Sequence, residues 1–203
     1  MTTFVKTNRI QDMEKAYTIN KPVYSFFYLC ILFFTVGLNI TDFSPGWVQQ
    51  NPPIGNRFVT DIKFLDSLSG WAVTDQGSAP DSAFILKTSD GGNNWIIQYR
   101  LQVGIFHALS MVNISTGYAC GISSIGLVMK TTNGGLNWTD LNFPGIQEFI
   151  DIDFINKDTG WVCDQTPLGG LWRTTNGGFS WDVEATVEVN NVFFVNDTTG
   201  WFT

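Results

Sequence analysis

An all-β fold built from repeated four-stranded units is what this sequence predicts, and two observations support it. One nine-residue phrase occurs at 87–95, 130–138 and 173–181, so it recurs every 43 residues. A fixed period of this length is typical of stacked or radial repeats. Short apolar runs separated by Gly, Asn and Thr lie between the copies, a pattern that favours strands over helices.

Each copy of the phrase has the residues that a tight turn between two strands needs. An Asp or Asn side chain can accept backbone N–H bonds from two residues on, and a Gly pair permits positive φ. A Trp then brings a large apolar side chain into the next strand. We therefore predict that the residues of the pattern Thr-x-Asp/Asn-x-Gly-x-x-Trp are structural: Thr88, Asp90, Gly92, Trp95, Thr131, Asn133, Gly135, Trp138, Thr174, Asn176, Gly178 and Trp181.

The repeats indicate the blades of a β-propeller. Four short strands per repeat, several of them apolar on both faces, suit sheets that pack face to face around an axis. We expect three full blades, a partial blade and the outer strand of a further blade, forming an incomplete ring. The full blades are expected at 58–100, 105–143 and 149–186, the partial blade at 189–203 and the outer strand of the further blade at 46–50.

Open blade faces and unpaired strand edges recruit other chains. We therefore expect either that this chain is a fragment of a larger ring, whose natural gene continues past Thr203, or that the chain associates with other chains. A small ring of four blades that uses the 46–50 strand stays open as an alternative.

Three features together resemble a known family: the Gly-Trp-Ala-Val strand at 70–73, the Lys-Thr-Thr-Asn-Gly-Gly phrase at 130–135 and the strand that begins at each Trp. They resemble the photosystem II assembly and stability factors, which are seven-bladed β-propellers, over residues 47–203. The phrase itself resembles the Asp-box, or bacterial neuraminidase repeat. The resemblance implies a non-catalytic, protein-binding propeller beyond a membrane, with arginines on one face. The Asp-box also occurs in sialidases and xyloglucan hydrolases, so it says little about activity.

Length differences between the repeats indicate one candidate binding face. They fall in the loops between second and third strands and between blades, including four additional residues within 75–82. Variable loops on a rigid scaffold are where binding usually resides. The candidate binding residues are Arg57, Asp75 and Arg100. We expect a protein or cell-envelope partner and no small-molecule substrate.

Charge divides the chain into a basic start and an acidic body. Residues 1–21 are polar and hold four basic and two acidic side chains, and the rest of the chain has a net charge of −9. Such an acidic body argues against a nucleic-acid partner. Residues 22–41 hold no charge, which predicts a cleaved signal peptide or a signal-anchor helix. Both alternatives imply export of 42–203, with membrane contact only through 22–41.

A glycoside hydrolase is the alternative function. Asp61 and Asp151 occupy the same place in the inner strands of two repeats, and paired carboxylates can cleave a glycosidic bond. Otherwise they line the rim of a central channel. Sialidase chemistry needs an arginine cluster, and the body has only Arg57, Arg100 and Arg173.

The remaining reactive residues suggest neither catalysis nor a bound group. His107 has no aligned Ser or Cys motif and is interpreted as a strand-end residue. Cys120 and Cys163 occupy equivalent positions of successive repeats, too far apart for a disulfide, and are interpreted as small buried side chains. The turn carboxylates and amides do not converge, and no His/Cys cluster has zinc spacing. We expect no metal and no cofactor.

Overall fold

The computed structural model describes residues 3–6, 47–77, 82–143, 145, 147–166 and 169–203. The predictions for 1–21 and 22–41 lie outside these residues, except that 3–6 form a strand. No helix in these ranges is long and apolar enough to cross a membrane. The strands there are β1 (Thr3–Lys6), β2 (Trp47–Gln50), β3 (Val59–Phe64), β4 (Gly70–Thr74), β5 (Ala83–Thr88), β6 (Ile96–Leu101), β7 (Ile105–Met111), β8 (Gly117–Ile122), β9 (Gly126–Thr131), β10 (Thr139–Asp140), β11 (Phe149–Phe154), β12 (Gly160–Asp164), β13 (Leu171–Thr174), β14 (Asp182–Ala185), β15 (Val192–Asn196) and β16 (Thr199–Phe202).

The chain divides into two compact units, Thr2–Asn51 and Pro52–Thr203. In the first, β1 and β2 form an antiparallel pair with Thr3 opposite Gln50. The expected strand at 46–50 is therefore present as β2, and its assignment to a further blade stays a prediction.

The second unit contains three four-stranded antiparallel sheets and one two-stranded sheet, each in sequence order. We call them blade 1 (β3–β6), blade 2 (β7–β10), blade 3 (β11–β14) and half-blade 4 (β15–β16). In the three full blades the last residue of the inner strand lies opposite a glycine of the second strand, as Phe64 does with Gly70, and in half-blade 4 Phe194 lies opposite Gly200. Three full blades and partial sheets are what the repeat predicted.

Successive blades share apolar cores because alternate strand residues face opposite sides of a sheet. In blade 1, Trp71 and Ile85 join the core with blade 2, whereas Ala72 and Phe84 line the other face. Blades 2 and 3 share a second core, and blade 3 shares a third with half-blade 4. The apolar side chains predicted to fill the blades are thus buried between them.

Rings at the ends of inner strands dock blade 3 on blade 2 and half-blade 4 on blade 3. Phe154 stacks on Tyr118 of blade 2, with ring centroids 3.5 Å apart and planes 3° apart. Phe194 stacks on Trp161 of blade 3 in the same way, at 3.6 Å and 2°. A Cβ at Gly160 would overlap the Phe154 ring, so the glycine is required for this close approach.

Antiparallel pairing places the connections at two ends of the blades. The repeated turns (87–95, 130–138 and 173–181) lie beside the β3–β4, β7–β8 and β11–β12 turns, as the Gly91 N–H bond to Leu68 O shows at 2.9 Å. We call this the turn end. The opposite end carries 54–58, 75–77, 102–104 and 123–125, and we call it the loop end. The variable loops therefore share one end, as predicted.

Candidate binding face and axial strands

Two guanidinium groups lie on one aromatic ring at the loop end of blade 1. The Arg57 Cζ atom is 4.1 Å from the centroid of the Phe84 ring, and the Arg100 Cζ atom is 4.7 Å from it. Arg100 is placed there by cross-strand pairing, because it lies directly opposite Phe84 in the β5–β6 ladder. Phe84 is buried and Arg100 is exposed. The arrangement presents positive charge to solvent above an apolar support.

Arg57 holds the loop end together. Its Nε donates to the Ser82 carbonyl, and its Nη1 donates to the Ile54 carbonyl at 2.8 Å. These bonds tie the segment before β3 to the start of β5. Of the predicted binding residues, Arg57 therefore has a clear structural role as well.

Asp75 closes the neighbouring loop. Its Oδ1 accepts the Phe58 N–H at 2.8 Å and the Gly77 N–H at 3.1 Å. The four additional residues of the first repeat fall partly at 78–81, outside the described residues. The structure thus brings Arg57, Asp75 and Arg100 to the loop end, with Arg100 the most accessible of the three.

The axial carboxylates bridge blades. Asp61 Oδ2 accepts the Leu109 N–H of blade 2 at 2.9 Å, and its Oδ1 accepts the following N–H at 2.7 Å. Asp151 repeats this geometry toward half-blade 4, accepting the Val192 N–H at 2.9 Å and the Ile152 N–H at 2.9 Å. Both members of the proposed glycosidase pair therefore use both oxygens to hold backbone.

A second row of bridges lies two residues further along the inner strands. Ser110 Oγ accepts the Phe154 N–H of blade 3 at 3.0 Å, and Asp153 Oδ2 accepts the Phe194 N–H at 2.7 Å. Sequence analysis missed both residues. Their signal is positional, because Ser110 and Asp153 each directly precede the last residue of an inner strand and are equivalent.

In the row of inter-blade hydrogen bonds nearest the loop end, a side chain donates to a backbone carbonyl of the next blade. Thr60 Oγ1 donates to the Phe106 carbonyl at 2.7 Å, and the equivalent His107 Nδ1 donates to the Phe149 carbonyl at 2.8 Å. A carbonyl can only accept, which assigns the proton to Nδ1. His107 is thus a half-buried bridging residue within β7, which corrects its interpretation as a strand-end residue near solvent.

Burial has the largest effect on the pKa values of titratable side chains along the inner strands and their neighbours. It raises the pKa of Asp151 and of Asp153 above 3.8, although the N–H bonds from Val192 and Phe194 act in the opposite direction. Burial also raises the pKa of the Cys163 thiol to about 12, and Cys120 and Cys163 are both buried and unpaired, as predicted. Such thiols are inert as nucleophiles at neutral pH.

The three repeated turns share one hydrogen-bond pattern. In the first turn, Thr88 Oγ1 donates to Asp90 Oδ1 at 2.8 Å and accepts the Gly92 N–H at 2.9 Å. Asp90 Oδ1 also accepts the Asn94 N–H at 2.8 Å. The amide oxygens of Asn133 and Asn176 do the same for the residues four positions on. We expected a bond from two residues on; the longer reach corrects that detail.

Glycine and tryptophan complete the turns. Gly92, Gly135 and Gly178 have φ of 91°, 90° and 89°, the left-handed region that favours glycine. Trp138 is buried against blade 1, while Trp181 donates its Nε1–H to the Gly178 carbonyl at 3.1 Å.

Hydrogen bonds from Asn94 lower the pKa of Asp90. No three potential metal ligands cluster within the described part of the chain.

Basic side chains link successive turns. Lys87 Nζ donates to the Gly134 carbonyl of the next turn at 3.0 Å, and Lys130 Nζ donates to the Gly177 carbonyl at 3.0 Å. Arg173 occupies the same position in blade 3, where its guanidinium lies 5.5 Å from the Trp161 ring. The sequence marked these residues only as the start of the phrase. Their inter-blade role depends on a contact 47 residues away.

Solved structures with the same fold bear on this arrangement. A structure of YCF48 bound to a D1 peptide matches with a TM-score of 0.57 and 21% identity, covering 75% of this chain and 49% of that chain. YCF48 from Cyanidioschyzon merolae matches at 0.50 and 21%, over 66% of this chain and 41% of that chain. A GH74 enzyme of Niastella koreensis matches at 0.51 and 15%, over 66% of this chain and 24% of that chain.

These likenesses show that the second unit has the β-propeller fold, which confirms the prediction made from the repeats. The photosystem II assembly-factor propellers named from the motifs are thus represented among the matching structures by YCF48. The matched region spans about half the length of the YCF48 chain. No family model matches the sequence, and no curated protein matches it.

Proposed function

We propose that residues 52–203 act as a non-catalytic protein-binding propeller of the photosystem II assembly-factor type, exported from the cytoplasm. The observation that carries the proposal is the Arg57–Phe84–Arg100 cluster at the loop end. It places positive charge on the end where variable loops meet, in a body that is otherwise acidic. The complementary partner is an acidic or carboxylate-bearing segment of another protein.

Arg100 is the residue best placed to contact that partner. An exposed guanidinium can bind a carboxylate through two parallel N–H···O bonds. Its guanidinium lies over the Phe84 ring, which limits the conformational freedom that binding would remove. Arg57 supports it by fixing the 54–58 loop. The YCF48 complex with a D1 peptide supports a peptide as the ligand class.

The axial residues support a non-catalytic role. A retaining or inverting glycosidase needs one carboxylic acid and one carboxylate directed at the substrate. Asp61 and Asp151 instead each hold two backbone N–H groups. The GH74 structures and the raised pKa of Asp151 favour the glycosidase as the second candidate.

Binding can be tested with one variant and one control at opposite ends of the blades. We expect a fluorescently labelled D1 peptide to bind the full chain, and Arg100→Glu to weaken binding roughly tenfold or more, because the charge at a desolvated contact is reversed. Lys157→Glu changes an exposed cation at the turn end and should leave the affinity unchanged. Equal affinities for both variants would contradict the binding face.

Catalysis and export have separate tests. Release of reducing sugar from a xyloglucan and β-glucan panel, lost in Asp151→Asn, would establish the glycosidase and overturn the non-catalytic proposal.

Export rests on the uncharged segment 22–41. Fusion of residues 1–46 to alkaline phosphatase, which is active only after export, should give activity, and an inactive, cytoplasmic fusion would contradict export.

A further inference from the structure

The second and third repeated turns each contain an Asn-Gly dipeptide, and the sequence has no other. Asn133 precedes Gly134, and Asn176 precedes Gly177, whereas the first turn has Asp90 at the same position. In such a dipeptide the glycine nitrogen can approach the side-chain amide carbon closely, because glycine has no Cβ and great conformational freedom. The two turns are therefore chemically suited to deamidation.

Deamidation needs only water as its co-reactant. The glycine nitrogen bonds to the Asn Cγ atom as the Cγ–Nδ2 bond breaks, and the amide nitrogen leaves as ammonia with the proton of the glycine N–H. A water molecule then opens the cyclic imide at one of its two carbonyls, which gives aspartate or isoaspartate. The reaction therefore requires a glycine nitrogen that can lose its proton and turn toward the preceding side chain.

The folded turns hold that nitrogen in another bond. The Gly134 N–H donates to the Ser115 carbonyl at 2.8 Å. The Gly177 N–H donates to the Asp158 carbonyl at 2.8 Å. Both acceptors lie in the turn between the first and second strands of the same blade. Because a hydrogen bond is directional, a nitrogen held in this way points at the neighbouring turn and not at its own asparagine.

The side chain under attack is also fixed. Asn133 Oδ1 accepts the Asn137 N–H at 2.9 Å and the Thr131 hydroxyl at 3.1 Å. Asn176 Oδ1 accepts the equivalent two bonds, and its Nδ2 donates to Ser180 Oγ at 2.8 Å. Both reacting groups are thus held apart until the turn opens.

A lysine from the preceding blade holds the other side of each glycine. Lys87 Nζ donates to the Gly134 carbonyl at 3.0 Å. Lys130 Nζ donates to the Gly177 carbonyl at 3.0 Å. Segments of a folded protein open locally, with free energies set by their own contacts. Each turn therefore has its own lysine to keep it closed.

We propose that Asn133 and Asn176 are deamidation sites that the fold protects, and that each reacts only after its own turn has opened. The lysine of the preceding blade controls this opening one turn at a time. Deamidation at each site consequently records how often that turn opens.

The two products differ in whether the turn survives. Aspartate is what the first turn already has, and Asp90 Oδ1 accepts the Thr88 hydroxyl and the Asn94 N–H, each at 2.8 Å. In the third turn, the Ser180 hydroxyl can rotate and donate to the new carboxylate. Isoaspartate adds a carbon to the main chain and takes it from the side chain, so the side-chain oxygen no longer reaches both donors. Aspartate therefore preserves the turn, and isoaspartate disrupts it.

The first test compares the folded chain with the unfolded chain. The full 203-residue protein is kept in mildly alkaline buffer with mild detergent, with or without urea, and deamidation at each site is followed by mass spectrometry of its peptides. We expect both sites to react roughly tenfold or more slowly in the folded chain, because attack waits for opening. Equal rates in the two conditions would overturn the proposal.

Lysine variants make the test specific for each site. Lys130→Met should accelerate the reaction at Asn176 several-fold and leave Asn133 at its wild-type rate, because a charge-assisted bond to the third turn alone is lost. Lys87→Met should have the reverse effect. Lys130→Arg keeps a charged donor and should react like the wild type, as should Lys157→Met, which changes an exposed side chain. Equal acceleration of both sites by either methionine variant would overturn separate control of the turns.

The fate of the products is tested on the aged wild-type chain. A brief protease treatment in moderate urea digests the less stable molecules, and electron-transfer fragmentation distinguishes aspartate from isoaspartate in the surviving chain. We expect the survivors to be depleted in isoaspartate and to retain aspartate, and Asn176→Asp to resist the protease like the wild type. If aspartate and isoaspartate were lost to the same extent, the accommodation of aspartate by the turn would be wrong.

Discussion

The carboxylate of Asp61 in blade 1 accepts the backbone N–H of Leu109 in blade 2, at 2.9 Å. Asp151 and Asp153 make the same kind of bond to half-blade 4, and Ser110 makes it to blade 3. Inner strands of neighbouring blades belong to separate sheets, so these side chains satisfy N–H groups that no ladder reaches. The axis is held by side-chain-to-backbone bridges.

Loss of the Ser110 bridge should destabilise the fold without changing the loop end. Ser110→Ala leaves the buried Phe154 N–H without its acceptor, which costs about 1–3 kcal/mol. Urea unfolding monitored by tryptophan fluorescence measures the change. Ser123→Ala removes a hydroxyl bonded to Ile125 O in an exposed turn and should cost less than about 0.5 kcal/mol. Equal effects would contradict the bridging role.

The pH dependence of stability should differ in sign between two carboxylates. Burial raises the pKa of Asp151 in the folded state, so the folded chain binds that proton more tightly than the unfolded chain. Its contribution to the free energy of unfolding is therefore fully present below 3.8 and is lost as pH rises through the folded pKa. Asp151→Asn removes this loss, and the variant should gain relative to wild type as pH rises.

Asp90 provides the matched opposite case. Hydrogen bonds from Asn94 lower its pKa, so its contribution is present above 3.8 and is lost as pH falls through the folded pKa. Asp90→Asn keeps the turn, because Asn133 and Asn176 already fill that position. Denaturation midpoints measured from about pH 3 to 7 should thus diverge in opposite directions, and parallel profiles would contradict the assignment.

Much of the strand order was predictable from sequence because its causes are local. The turn residues recur with a constant period, and apolar strands lie between them, so each blade is specified by neighbours in sequence. The bridges were not predictable in this way. Asp61 and Leu109 are 48 residues apart, and a carboxylate at an inner-strand position is equally consistent with a channel rim. The bridging role follows only from the approach of two sheets.

The candidate binding site was likewise only partly predictable from the sequence. The loop end was predictable because length variation marks it, and Arg57, Asp75 and Arg100 were found from that variation. Phe84 was not identified, because its apolar strand position is typical of core residues. Its support of both guanidinium groups depends on cross-strand pairing with Arg100 and on the return of the 54–58 loop.

Replacement of Gly178 should test the structural role of the repeated turns. Gly178→Val places a β-branched residue at φ 89°, where its Cβ would overlap Leu141. We expect a loss of about 1–3 kcal/mol in the free energy of unfolding. Thr175→Val, at an exposed position of the same turn, is the control and should have little effect. Unchanged stability with loss of a measured activity would instead indicate a functional turn.

The lysine link between turns should be replaceable by arginine but not by an apolar side chain. Lys130 lies 5.2 Å from the Tyr118 ring and donates to the Gly177 carbonyl of the next blade. Lys130→Met keeps an apolar stem over the ring but loses the charged donor, which should cost about 1–2 kcal/mol. Lys130→Arg should recover most of this, because Arg173 occupies the equivalent position in blade 3.

The matched control for this link is Lys157→Met. Lys157 is exposed and pairs with the neighbouring Asp158 at 2.6 Å, and such surface pairs contribute about 0–1 kcal/mol. Thermal unfolding of the four proteins should rank wild type and Lys130→Arg together, Lys157→Met close below them and Lys130→Met lowest. If Lys130→Met and Lys157→Met unfolded at the same temperature, the turn-to-turn bond would contribute no more than a surface charge, and the blades would be held by their apolar cores and axial bridges alone.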